Sequence, residues 1–261
     1  MSSLPRADWN ALRSEWANER GVYLESRRHI VQDPLLAQKV GCLDLSLRYL
    51  HQQDEASVAD TNDSLTVRYL GARALNSTLS ALSLMLSGYY QQSIFAMRDL
   101  MEMLFLLDEF QSCPENIAEW AGAEHRLIAK KYKPVAVRNR LNKRDGLDPR
   151  HSWRNKRYRI CCQYGTHPTF KGFQIIAKHK AVVQGAFFDP RRLRACLEET
   201  LMLVCRLARM YALCLRRVRE QPEPVTQLFM QLCDSLSKCA HLPFEWIWYE
   251  PELEPHLSVY R

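Results

Sequence analysis

The stretch Gly88–Phe110, GYYQQSIFAMRDLMEMLFLLDEF, most constrains what this chain can become. It is apolar on nearly every side, which predicts a helix buried all round. It also carries Arg98 and Glu102 at i and i+4, so both side chains share one helix face. A charge inside a core helix demands a partner, because an ion stripped of water and left alone is very costly. Two readings are open. The pair is a structural tie between helices, or it anchors a site. In the second, Arg98 holds a phosphate or polarises an oxygen, and Glu102 positions that group or a water. Gln91 and Glu109 lie near the same stripe.

The flanking sequence supplies helices to pack around it. Asp33-Pro34 has the form of an N-cap followed by proline in the first helical turn. Leu36, Val40, Leu43, Leu47 and Leu50 then mark one face of a helix. Before them, Trp9, Leu12, Trp16 and Val22 predict a first helix ending near Gln32. A third runs from Ser64 to about Ser87, with Leu70, Ala74, Leu75, Leu79, Leu82 and Leu86 as its stripe. Gly88 suits the left-handed residue that ends a helix. The third and central helices should therefore be antiparallel neighbours. Ser112-Cys-Pro-Glu115 has capping-box form. Asp189-Pro190 opens the longest helix, where Leu197, Leu201, Val204, Ala208, Tyr211, Leu215 and Val218 keep a four-three rhythm.

The predicted fold is all-α, a multi-helix bundle in a single domain spanning 1–261. A small β-hairpin or an irregular excursion is expected near 173–184, where Phe173–Ala177 and Ala181–Gly185 are short and β-prone. A last helix is expected through Cys239, then an extended aromatic tail over 240–261. Glycine is scarce, nine in 261 residues, which favours helices over a sandwich or barrel.

The longest apolar runs, such as Leu79–Leu86, fall far short of a membrane span, and the first residues lack an apolar core of signal-peptide length. The expectation is a cytoplasmic protein with no membrane contact. Nine cysteines and no CxxC pair suit buried thiols in a reducing compartment. Cys233, Cys239 and His241 could hold zinc, but their spacing fits no common zinc module, so neither metal nor cofactor is expected. No P-loop, strand-borne GxGxxG, HExxH, GxSxG or kinase motif occurs. That moves ATP-driven work, nicotinamide chemistry and most hydrolase classes off the front of the list.

Charge is concentrated. The net charge is +7, yet Arg126–Arg159 alone carries thirteen Lys/Arg against two Asp. Such a segment is either a solvated surface or an electrostatic footprint for RNA or another polyanion. As a nucleic-acid face it would use Lys130, Lys131, Arg138, Arg140, Lys143, Arg144, Arg154 and Arg157. Just beyond it stands Tyr164-Gly-Thr-His167-Pro168. Gly165 and Pro168 make an abrupt turn that would aim His167 in one direction. Imidazoles titrate near neutral pH and suit general acid–base work. The plainer alternative is a turn histidine satisfied by backbone.

These residues together carry a resemblance. The glycine–aromatic turn at Gly88-Tyr-Tyr, Arg98 and Glu102 one turn apart, the Trp120 helix and the turn ending in His167 resemble the HEPN superfamily (higher-eukaryote-and-prokaryote nucleotide-binding domains). The likeness spans about 64–221. It implies a helical core, dimeric assembly, metal-independent RNA cleavage, and a setting in bacterial toxin–antitoxin or phage-defence systems. Active members pair an arginine with a histidine across a short spacer near the start of a late helix. Here seven residues separate Arg159 from His167, longer than that pattern, and His167 precedes a proline. On the resemblance, Arg159 or Arg157 would stabilise phosphate charge, His167 would orient or deprotonate the 2′-hydroxyl, and Arg98 and Glu102 would support the site. The expected function is a metal-independent ribonuclease or RNA-binding protein, acting as a homodimer or with a cognate protein partner. The alternative is a non-enzymatic helical interaction protein whose basic segment docks a partner or nucleic acid.

Overall fold

The computed structural model describes residues 9–55, 61–178 and 181–218. The expected last helix, the 240–261 tail and the Cys233–Cys239–His241 cluster lie outside the described residues.

Helix α1 (Asn10–Gln32) ends at Asp33, whose backbone N–H donates to the Ile30 carbonyl. The Asp33 carboxylate then accepts from the N–H groups of Leu35 and Leu36, at 3.0 and 3.1 Å, and so caps α2 (Pro34–Glu55). The Asp-Pro signal does here what capping chemistry requires. The stripe expected on α1 is only half right. Val22, Ser26 and Ile30 are buried, whereas Trp9, Leu12 and Trp16 stay about half exposed. The first turns of α1 reach beyond the core, and Trp9 and Trp16 lean on each other instead, with ring centroids 6.3 Å apart.

Helices α3 (Asn62–Leu86) and α4 (Tyr90–Ser112) form the antiparallel pair. Ser93 donates to the Ala81 carbonyl and Ser77 to Asp99, so advancing along one helix retreats along the other. Gly88 turns the chain with φ +81°, and a Cβ there would sit 2.4 Å from the Phe187 carbonyl oxygen. No side chain fits that left-handed, back-to-back contact.

Helix α4 is the core element. Met97, Leu100, Met101, Phe105, Leu107 and Phe110 are almost completely buried. They pack against α3 and α10 (Pro190–Val218). The α10 rhythm holds from Leu197 to Leu215, every position of it buried. Asp189 caps α10 by accepting from the N–H groups of Arg191 and Arg192. Across the bundle, Lys39 of α2 is ion-paired with Glu198 of α10, both buried.

Between α4 and α10 the chain is broken into short pieces. Helix α5 (Glu115–Ala121) stops at Gly122. It does not start with the expected capping box, because Ser112 belongs to α4 and donates back to the Asp108 carbonyl. Helix α6 (His125–Leu127) widens into a π turn at Ile128–Tyr132, and α7 (Pro134–Arg144) comes next. Helix α8 (Trp153–Cys161), capped by Ser152, widens into a second π turn at Cys162–Thr166. After α9 (Phe170–Gln174) a minimal antiparallel hairpin pairs β1 (Ala177–Lys178) with β2 (Ala181–Val182), Ala177 opposite Val182. The excursion is thus a hairpin, but Phe173 and Gln174 belong to the helix before it. Among the described residues, no helix is long and apolar enough to cross a membrane.

Candidate functional site

One side of α4 is left uncovered by its neighbours. Gln91, Gln92, Phe95, Arg98, Asp99 and Glu102 face an open cleft of about 930 Å³. The second wall is a stripe of α3, Arg73, Ser77, Ser80 and Leu84, at spacings of four, three and four. The third wall is built from the end of the second π turn and the chain just beyond it, Gly165, Thr166, His167, Pro168 and Phe173. The Arg98–Glu102 pair is therefore not sealed in the core. Its side chains are 27% and 30% exposed. The helix is buried as expected, but its charged stripe is the part that the bundle leaves open.

Tyr158 organises that stripe. Its hydroxyl accepts from Nε and Nη2 of Arg98, at 3.0 and 2.8 Å, and donates to Oε1 of Glu102 at 2.7 Å. Arg98 Nε also lies 3.1 Å from Glu102. The Arg138 guanidinium stacks on the other side of this assembly, 3.8 Å from the Tyr158 ring centroid, and donates from Nε to Asn155. Burial and then the Glu102 hydrogen bond push the Tyr158 phenol up to about 12, so it stays protonated. Burial works against the charge on Arg98, but Tyr158 and Glu102 outweigh it and hold the guanidinium charged. Nη1 of Arg98 makes no hydrogen bond to the protein among the described residues, and this is the edge that a ligand oxygen could take.

On the α3 side, Arg73 makes a two-point contact with Asp99, Nη2 to Oδ1 at 2.7 Å and Nε to Oδ2 at 3.2 Å. Ser77 donates to the same carboxylate at 2.6 Å. On the third wall, Gly165 lies so close to α4 that a Cβ would be 2.8 Å from the Phe95 amide nitrogen. The His167 N–H donates to the Cys162 carbonyl at 3.0 Å, and its own carbonyl accepts from Thr169 at 2.8 Å. These backbone bonds hold the turn, and His167 stays exposed at the cleft.

Arg98, Glu102 and His167 thus line one cleft. Arg159 does not: it is exposed and absent from the cleft walls. Tyr158 is the α8 residue aimed at Arg98 and Glu102, and a helix turns about 100° per residue, so its neighbour points elsewhere.

The basic segment needs a larger correction. Its arginines were expected on a nucleic-acid face, but most are engaged inside the protein. Arg138, Arg154 and Arg157 are buried. Arg154 donates to Asp108 and Asp145, and Arg157 is ion-paired with Glu199. Arg140 grips the buried Glu109 with Nε and Nη2, both at 2.8 Å. Arg144 reaches Asp108, Asp145 and Ser112, and Lys131 reaches Glu119 and Asn116. The physical reason is that α4 and α10 bring carboxylates under α7 and α8, so these cations brace the short helices against the core. Lys130, Lys143 and the ion-paired Arg144 remain exposed.

Sequence reasoning missed Tyr158, Arg73, Asp99 and Asn155. Only the spacing of Arg73, Ser77 and Ser80, a short polar stripe on an otherwise apolar helix, could have pointed to the cleft wall. Compared with family models, with curated proteins and with solved structures, the chain matches nothing.

Proposed function

We propose that the protein is a metal-independent ribonuclease acting on single-stranded RNA, with its site in the α3–α4 cleft. The observation that carries this reading is the meeting of an exposed imidazole, His167, with a prepositioned guanidinium, Arg98, in one open groove. In such a site Arg98 stabilises the charge that builds on the phosphate oxygens, offering Nη1 while Tyr158 and Glu102 hold its other edge. His167 takes the proton of the 2′-hydroxyl, whose oxygen attacks the adjacent phosphorus to form the 2′,3′-cyclic phosphate, and the protonated imidazole returns that proton to the 5′-oxygen as the P–O5′ bond breaks. Glu102 orients Arg98 through Tyr158 and is a positioning residue. The HEPN resemblance adds dimeric assembly and a role in bacterial defence or toxin systems to the same proposal, with Arg98 standing where Arg159 was expected.

The test is incubation of the purified chain with labelled single-stranded RNA in EDTA. Wild type should cleave. His167→Ala should lose about 100-fold or more of the rate, the usual worth of a general base. Intact RNA with folded wild-type protein under these conditions would sink the reading.

A second reading has one observation behind it. Both cleft arginines are matched by carboxylates, Arg73 by Asp99 and Arg98 by Glu102. A site that only docks an RNA or protein partner needs no catalytic group, and binding without cleavage is its signature.

A further inference from the structure

The charge balance of the cleft limits what part of an RNA it can hold. Its walls carry two arginines and two carboxylates, so with His167 neutral the groove has no net formal charge. A run of phosphates wants surplus positive charge, and this groove offers only the spare edge of Arg98. What it does offer are two bare aromatic rings. Phe95 is 57% exposed and Phe173 48% exposed, and both line the cleft. Neither stacks on another ring among the described residues. Single exposed apolar residues are ordinary. Two in one groove, among amides and hydroxyls, form a different surface.

Phe95 also has defined neighbours. It lies one turn before Arg98 on the same stripe of α4, about 4.5 Å along the helix axis. Gln92 is one turn before Phe95, and its amide makes no hydrogen bond to the protein among the described residues. Gln91 donates weakly to the Gly172 carbonyl at 3.4 Å, which ties α4 to the helix carrying Phe173. A planar heterocycle with donors and acceptors on its edge matches this set: stacking faces from the phenylalanines and an amide for its rim.

We propose that the Phe95–Phe173 end of the cleft is a nucleobase subsite. It holds one unpaired base by stacking, with the Gln92 amide on the base edge and the adjoining phosphate delivered to Arg98. This rests on the reading of the cleft as an RNA site and adds to it: recognition comes from the base whose own adjoining phosphate, held by Arg98, is the one that is cut.

The test uses the full chain carrying His167→Ala, so that RNA survives. Anisotropy measures binding of a fluorescent single-stranded hexaribonucleotide and of its fully abasic counterpart, in EDTA. The expected result is that the abasic strand binds at least about fivefold more weakly, since stacking on an aromatic residue is commonly worth that per base. Phe95→Ala and Phe173→Ala should each weaken the base-bearing strand and leave the abasic strand unchanged. Phe95→Trp should retain binding, and its fluorescence should be quenched as the base-bearing strand is added. If both strands bind equally and neither alanine variant matters, the subsite is overturned while the ribonuclease reading survives. If neither strand binds at low salt, the RNA reading fails, and the subsite with it.

Discussion

Tyr158 places one hydroxyl between Arg98 and Glu102, accepting from the first and donating to the second. The three groups come from two helices, and α8 is braced by Arg154 against α4 and by Arg157 against α10. The orientation of Arg98 thus depends on a phenol sixty residues further along the chain. Tyr158→Phe keeps the ring under Arg138 and removes only the hydroxyl. Stability should fall by about 0.5–1.5 kcal/mol, the net worth of such a hydrogen bond. RNA cleavage should fall far more, at least about tenfold in kcat, if the bond orients a catalytic guanidinium. A stability loss with unchanged kcat would reduce Tyr158 to a structural role. The pH dependence has a definite sign. The folded phenol ionises at about 12 against an ordinary 10.0, so the contribution is complete below pH 10 and is lost as pH rises towards 12. The difference in stability between wild type and Tyr158→Phe should close in that window.

The two carboxylates Glu102 and Glu198 should differ sharply on removal. Glu102 is partly exposed, so Glu102→Ala should cost only about 0.3–1 kcal/mol. Glu198→Ala withdraws the carboxylate from a fully buried Lys39 and should cost about 3–5 kcal/mol. Urea melts of both variants check the ranking, and equal costs would contradict it.

How much of this was legible in the sequence depends on range. Asp33-Pro34, Asp189-Pro190 and Gly88 were readable because a cap or a left-handed turn is settled by a few adjacent residues. The α10 seam was readable because one face is buried along its whole length. The basic segment misled because charge counts do not show where the counter-charges sit. Asp108, Glu109 and Glu199 are on α4 and α10, and only the packed bundle brings them under Arg140, Arg144, Arg154 and Arg157. The same limit hid Tyr158, since nothing local separates an organising phenol from a surface one. His167 was singled out by its turn, but its place in the same cleft as Arg98 depends on Gly165 packing against α4.

Adjacent cysteines give a chemical check on α8. Cys161 is buried, and burial pushes its thiol well up; Cys162 is half-buried beside Tyr158 and Arg98. The thiolate is the reactive form, so a buried, protonated thiol is inert. Brief native treatment with iodoacetamide should label Cys113 and Cys162 before Cys161, Cys196, Cys205 and Cys214. Burial also raises the last two, to about 11 and about 12. Peptide mass spectrometry reads the order, and early labelling of Cys161 would mean that the α8 face is assigned wrongly.

The Asp33 cap predicts an acid effect. Its carboxylate accepts from the Leu36 and Leu35 amides and faces Arg194, and these hold its pKa below the ordinary carboxylate value. Asp33→Ala should cost about 1 kcal/mol near neutral pH, a typical N-cap loss. A depressed carboxylate stabilises above its unfolded pKa, and that contribution is lost as pH falls through the folded one. The gap between wild type and variant should therefore narrow below about pH 4. A gap that stays constant into acid would assign the loss to something other than the charged cap.

Gly165 offers the sharpest separation of site from fold. A Cβ there would lie 2.8 Å from the Phe95 amide nitrogen and 2.9 Å from Ile94 Cγ2. Backbone on a core helix yields little, so in Gly165→Ala the turn must lift away from α4. The turn carries His167, and the imidazole moves with it, away from Arg98. Cleavage should drop by about 100-fold, because misplacing a catalytic group by an ångström is enough to do so. Of the buried α4 side chains only Ile94 meets the new Cβ, so the melting temperature should fall only a few degrees, in line with a loss of about 1 kcal/mol. Gly71→Ala is the control: its Cβ would meet the Tyr211 ring at 2.5 Å, which strains the packing of α3 on α10 and leaves the turn that carries His167 untouched. If Gly71→Ala lowers activity as much as Gly165→Ala, the position of His167 is not what limits the reaction.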